Sequence, residues 1–235
     1  MKAQIKVGAL FLCLAVFIGL TSEICAARDD NQLDTALQRA TDTIEHMTSA
    51  APDRAVPRDV LESAKCVAVI PHLIKGAFIV GGEHGVGVAT CKTGAGAWSA
   101  PAPFSVSGIS WGPQIGGESN DIVMMMNDEG MRGLLGGHVK VGADVSAAAG
   151  PVGRQASVDA GWKAGILTYS GSKGAFIGAS LSGAELHEDG KLTRELYGSD
   201  ISFKDILEGN AHTPNSEAQA FVTAVENAKQ SAMAH

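Results

Sequence analysis

Aromatic residues make up only 5% of this 235-residue chain, and its 18 lysines and arginines are outnumbered by 25 aspartates and glutamates. A chain with so little to stack on bases and a formal charge of −7 is poorly equipped to hold a polyanion, which argues against nucleic acid as a partner. The same deficit argues against a purely electrostatic grip on anionic lipid. Membrane contact then requires a local basic patch or an apolar insertion. Long apolar runs are missing too: beyond the N-terminal stretch Val7 to Leu20, nothing is long and apolar enough to cross a bilayer.

That stretch has its own reading. Lys2 and Lys6 precede it, and Cys25-Ala26-Ala27 follows before Arg28-Asp29-Asp30, the layout of a secretory signal peptide over residues 1–27. Ser22-Glu23-Ile24 before Cys25 lacks the small residues of a lipid-anchoring signal. The expectation is an exported protein, periplasmic or secreted after cleavage near Ala27. Its remaining 208 residues suit one domain, and losing Lys2, Lys6 and Glu23 moves the formal charge from −7 to −8.

Cysteine is scarce, and only Cys66 and Cys91 survive cleavage. In an oxidising compartment a disulfide between them is the first reading, closing a loop of about 25 residues with roughly 3 kcal/mol of stabilisation in the chain-entropy model. Two buried free thiols are the alternative, since spacing does not establish geometry. Two cysteines with no histidine pair at ligand spacing predict no zinc site.

From Leu33 the apolar positions Leu33, Leu37, Ala40, Ile44 and Met47 are spaced four, three, four and three, predicting an amphipathic helix that ends near Pro52. Its polar face carries a single basic residue, Arg39, beside Asp34, Gln38, Asp42 and Glu45, the pattern of a helix packed on its own domain rather than on a membrane. Pro57 opens a second helix to Lys65. The texture then becomes β, with strands expected at Cys66–Ile70, Ala77–Gly82 and Gly85–Cys91, and further extended pieces from Trp98 and Phe104. Asp121–Met126 reads as a strand buried on both faces, and Asn127 as the cap of a short helix, Glu129 to Leu135. Four more strands are expected, at Val139–Ala149, Gln155–Ala160, Lys163–Ser170 and Ala175–Ser182. Leu186–Leu196 is ambiguous because Asp189-Gly190 signals a turn inside it. Helices are expected at Ser202–Glu208 and Ser216–Ala232. The whole divides into a signal peptide (1–27), an N-terminal helical segment (28–65), a β-rich core (66–210) and a C-terminal helix (211–235). The predicted class is α+β: a curved or barrel-like, mostly antiparallel sheet with N-terminal and C-terminal peripheral helices.

One phrase occurs twice. Lys75-Gly76-Ala77-Phe78-Ile79 returns as Lys173-Gly174-Ala175-Phe176-Ile177, each reading as a strand with little bulk on one face, where a second backbone or a flat apolar ligand can approach. This favours a binding scaffold over an enzyme. Gly108-Ile109-Ser110-Trp111-Gly112 does satisfy the pattern of a serine-hydrolase elbow, but Pro113 and the glycines after it make a poor first helical turn. A hydrolase using Ser110 is the third reading. Gly81-Gly82-Glu83-His84-Gly85-Val86-Gly87 lacks the helix and the Lys-Ser/Thr of a phosphate loop, and Glu83 with His84 reads as a polar rim. No catalytic residue, cofactor or metal set is assigned. Gly150-Pro151-Val152-Gly153-Arg154 presents Arg154 at a turn tip, and Lys75, Lys173 and Lys163 stand at strand starts. These four make a candidate anionic head-group site if they converge, and four solvated cations if they do not.

Taken together, several phrases resemble the SYLF domain family, a lipid-binding module also described as an actin-binding domain in yeast actin-patch proteins. They are Ile70-Pro71 with Lys75-Gly76-Ala77-Phe78, Trp98-Ser99-Ala100-Pro101, Gln114-Ile115-Gly116-Gly117-Glu118 with Asp121, Ala147 to Arg154, Tyr169-Ser170 with Lys173-Gly174-Ala175-Phe176, and Leu196-Tyr197-Gly198 with Asp205-Ile206-Leu207. The signal peptide makes the chain similar to exported bacterial members. The resemblance implies a β-rich domain with helical edges that binds phosphoinositide or other anionic lipid. Two expectations follow: a non-enzymatic domain of the cell envelope that binds anionic phospholipid or a membrane surface, or an envelope protein-interaction module that recruits its partner by strand addition and is actin-binding-like in eukaryotic relatives.

Overall fold

A computed structural model describes residues 32–50, 55–153, 162–172 and 175–233, with the backbone alone at 76–81, 109–118, 172, 175, 232 and 233. The strand expected at Gln155–Ala160 lies outside the described residues.

The described residues begin with helix α1, residues 32–49. All five apolar positions of its four-three spacing are buried, so the stripe packs on the domain as the periodicity predicts. Helix α2 (Arg58–Ser63) starts after Pro57 and buries Val60.

Strands β1 (Cys66–Cys91) and β2 (Ala102–Met126) follow. The separate short strands expected between Cys66 and Met126 are therefore two long ones. They pair antiparallel from Cys66↔Met126 to Ala89↔Ala102, with register shifts at Ile70/Leu73 and Phe78/Ile79. Glycine and proline here bend the ladder instead of ending it. Pro71, which has no N–H to give, falls in the first shift. Beside it His72 has a left-handed backbone (φ 61°). Its N–H donates to Asp121 Oδ1 at 3.0 Å and its Nδ1 meets Ser119 Oγ at 2.7 Å, contacts that offset the roughly 1–2 kcal/mol such a backbone costs.

The bends fold β1 back on itself. Gly85 sits so close to Ile70 and Leu73 that an added Cβ would stand 2.9 Å from Ile70 Cγ2. The two ends of the strand meet, and Cys66 and Cys91 are joined as a disulfide. Alongside, the Lys92 N–H donates to the Lys65 carbonyl at 2.7 Å.

Helix α3 (Asp128–Leu134) is capped by Asn127, whose side chain accepts from the N–H groups of Glu129 and Gly130. Short strands come next: β3 (His138–Lys140), β4 (Ala147–Ala149), β5 (Ile166–Ser172), β6 (Ala175–Gly178) and β7 (Glu185–Glu188). The sheet runs β3-β7-β2-β5-β4, with β1 on β2 and β6 on β5, and every pairing is antiparallel except β4 with β5. It curls into a half-barrel with helices at both ends of the sequence, as the α+β expectation has it. The ambiguous Leu186–Leu196 resolves at Asp189, which ends β7 and caps helix α4 (Gly190–Tyr197) by accepting from Lys191 and Leu192. Helices α5 (Phe203–Glu208, capped by Ser202) and α6 (Ser216–Met233) are the last described elements.

The sheet separates two hydrophobic layers. Met124 and Met126 join Phe104, Val106, Ile122 and Leu186 on the concave side with Phe203 and Leu207 of α5. Met125 joins Val67, Val69, Val88 and Tyr169 under α1 and α6. The strand read as buried on both faces is buried on both: all three methionines have no exposed surface. No described helix is long and apolar enough to cross a membrane.

Candidate functional site

Where α1 crosses the bend of β1 the packing opens into a cavity of about 310 Å³. The helix contributes Gln32, Thr35, Ala36 and Arg39, and β1 contributes Pro71, His72 and Ile74 from one limb and His84, Gly85 and Val86 from the other. Each element has a local reason to be there. The stripe from Leu33 to Met47 docks α1 and leaves Arg39 on its open side. The register shift at Ile70/Leu73 turns His72 outward, and the return of the strand brings His84 and Val86 alongside. One guanidinium and two imidazoles thus converge on one concavity, and among the described residues that line it there is no carboxylate. Ile74 stands at its edge with 52% of its surface exposed, one of two large apolar side chains so exposed among the described residues. Such a site offers charge-assisted donors to an anion and an apolar rim beside it.

The sequence-predicted cations are placed differently. Lys75 Nζ lies 3.3 Å from Glu83 Oε2, and the Glu83 side chain is only 8% exposed. Lys75 therefore already has an internal partner, and Glu83 is no polar rim residue but a covered carboxylate. Removing the lysine charge would leave that carboxylate without this partner, at a cost below the roughly 3–5 kcal/mol of a fully buried pair because solvent reaches Lys75. Lys163 is exposed in the turn before β5. Arg154 and Lys173 lie outside the described residues.

Ser110 pairs with Gly81 inside the β1/β2 ladder. Its backbone continues a strand, and the strand-to-helix turn required of a nucleophile elbow is not formed there. Cys66 and Cys91 form the disulfide, so the free-thiol alternative is set aside. Arg39, His72 and His84 were each visible in the sequence, but 33 and 12 residues separate them. The signal that could have joined them is the pairing of a proline-containing bulge with a glycine-rich return limb.

The family model described as "Ysc84: Las17-binding protein actin regulator" matches residues 107–228, just over half of the chain. The chain belongs to this family. Relatives of the Ysc84 family include LAS seventeen-binding protein 3 of Saccharomyces cerevisiae, 35% identical over 168 residues, which covers 69% of this chain and 36% of the relative. The yeast protein YSC84 is 34% identical over the same length. The human SH3 domain-containing YSC84-like protein 1 is 34% identical over 167 residues, with 69% of this chain and 48% of the relative covered. The chain thus spans between about a third and a half of the length of these curated relatives. No solved structure matches it. The family match begins at residue 107, after every residue that lines the cavity, so the family description by itself assigns the cavity no role.

Proposed function

We propose that this chain is a non-enzymatic binding module that takes the head group of an anionic phospholipid into the cavity between α1 and β1. The observation that carries this is the convergence of Arg39, His72 and His84 on a cavity with no carboxylate among its described lining residues, beside exposed Ile74. Arg39 supplies a planar, permanently charged fork for a phosphate, and the two imidazoles add donors. Ile74 offers a small apolar insertion, the kind of contact a net-acidic protein needs at an acidic surface.

The protein acts outside the cytoplasm in this proposal, with residues 1–27 as its signal peptide. The Cys66–Cys91 disulfide supports export, because such bonds persist in oxidising compartments.

The family supports a second reading. Its description and the names of its yeast relatives are those of Las17-binding proteins and actin regulators, which favours a module that grips a protein partner, and the same basic cavity would then receive an acidic side chain of that partner.

Co-sedimentation with vesicles of neutral, phosphatidylserine-containing and phosphoinositide-containing lipid, at low and high salt, separates the two. Lipid binding predicts pelleting with the anionic vesicles, weakened by salt and lost in Arg39→Glu. No pelleting with any vesicle overturns it and shifts the test to co-sedimentation with actin filaments.

A further inference from the structure

A second cluster of polar side chains lies on the uncovered face of the sheet, at its β3 edge. The β3/β7 ladder places His138 opposite His187 and Lys140 opposite Glu185. Residues 185 and 187 are two apart on one strand, so their side chains share a face with their partners, while Val139 and Leu186 between them point into the concave core. His138 Nε2 lies 3.8 Å and His187 Nε2 3.6 Å from the same carboxylate oxygen, Glu185 Oε2. The two imidazole rings are 4.6 Å apart, tilted by 37°. One ligand atom from each of the three residues lies within 4.8 Å of the others.

Tetrahedral zinc with bonds of about 2.0–2.1 Å holds its ligand atoms about 3.3 Å apart. The two nitrogen-to-oxygen separations exceed that by a few tenths of an ångström, within the reach of small side-chain rotations. The donor set is also the right one. Two imidazoles and a carboxylate suit zinc, whereas calcium and magnesium prefer oxygen donors. Lys140 holds the other carboxylate oxygen, Oε1, at 2.9 Å, fixing the carboxylate with Oε2 turned toward the histidines, as an outer partner orients a metal ligand. The side chains of His138, Glu185 and His187 are 53%, 34% and 42% exposed, which gives an ion a way in and leaves a fourth position for water.

We propose that His138, His187 and Glu185 bind one zinc-type divalent ion across strands β3 and β7. The site does not depend on the lipid reading. Its consequence is mechanical: β3 is a three-residue strand with only β7 beside it among the described strands, and an ion shared between the two strands fastens that edge. The expectation that no histidine pair stands at ligand spacing holds along the sequence and fails across the ladder, where 49 residues separate the pair.

Isothermal titration of the untagged full chain with zinc chloride tests this. One saturable ion per chain is expected, with affinity falling at least tenfold in the His138→Ala/His187→Ala double variant. Zinc should raise the melting temperature of the parent and leave that of the variant unmoved, and bound cobalt(II) should show the intense visible absorption of a four-coordinate ion only in the parent. Failure to saturate, or equal affinity in the double variant, overturns the proposal. His138 is exposed and His187 half-buried, and circular dichroism of the variant checks directly that it keeps its fold.

Discussion

Cys66 and Cys91 are the first and last residues of a single β-strand, yet their Cα atoms stand 4.0 Å apart. A straight strand of that length would separate them by about 80 Å, so the bond records how completely β1 turns back. Both cysteines are fully buried. Reductant should therefore leave the disulfide intact in the native protein and cleave it once denaturant opens the fold. Replacing both residues by alanine should lower the unfolding free energy by about 3 kcal/mol, read from urea titration. Rapid thiol labelling of native protein after mild reduction would contradict the first expectation.

The two tyrosines of the chain are Tyr169 and Tyr197. Burial pushes both phenols well above their ordinary value. The Tyr197 hydroxyl donates to the Pro101 carbonyl at 2.8 Å, whereas that of Tyr169 has no partner among the described residues. An unfolded tyrosine ionises near pH 10. Stability from keeping these phenols neutral is therefore full below about pH 10 and is lost as pH rises above it, when the unfolded state ionises and the folded state resists. Native protein should show no tyrosinate absorbance at about pH 10, and the band should emerge together with unfolding at higher pH. A tyrosinate signal near pH 10 with circular dichroism unchanged would refute this.

Gly87 faces Phe104 across the β1/β2 ladder, and the Phe104 ring occupies the space that a side chain at Gly87 would need. Gly87→Val should cost about 1–3 kcal/mol by overpacking. Gly94, with nothing within 4 Å of an added Cβ, supplies the control. Gly94→Ala should stay within about 0.5 kcal/mol. Equal denaturation midpoints for the two variants would refute the close-approach account.

Local chemistry was legible wherever one residue decides one element. The spacing from Leu33 to Met47 foretold α1, Asn127 foretold the cap of α3, and three consecutive methionines foretold a strand buried on both sides. What the sequence could not announce was register. The glycines from Gly76 to Gly87 look like strand breaks because each lowers β-propensity, but in a long two-stranded ribbon the same residues permit bending without ending the ladder. That bend brings Lys75 to Glu83, eight positions away along one strand, and His72 to His84 at the cavity. Register also builds a continuous polar row across four strands, from His84 to Ser107 to Glu185 to Lys140. No window of consecutive residues contains it.

The covalent loop in β1 also changes what a pull on the two ends of the chain could extend. Force applied at the ends passes from Cys66 directly to Cys91 and bypasses the residues between, so roughly 80 Å of contour length stays hidden while the bond is intact. Stretched under oxidising conditions, the protein would behave as a shorter chain than its sequence, and a reductant would release the missing length in one step.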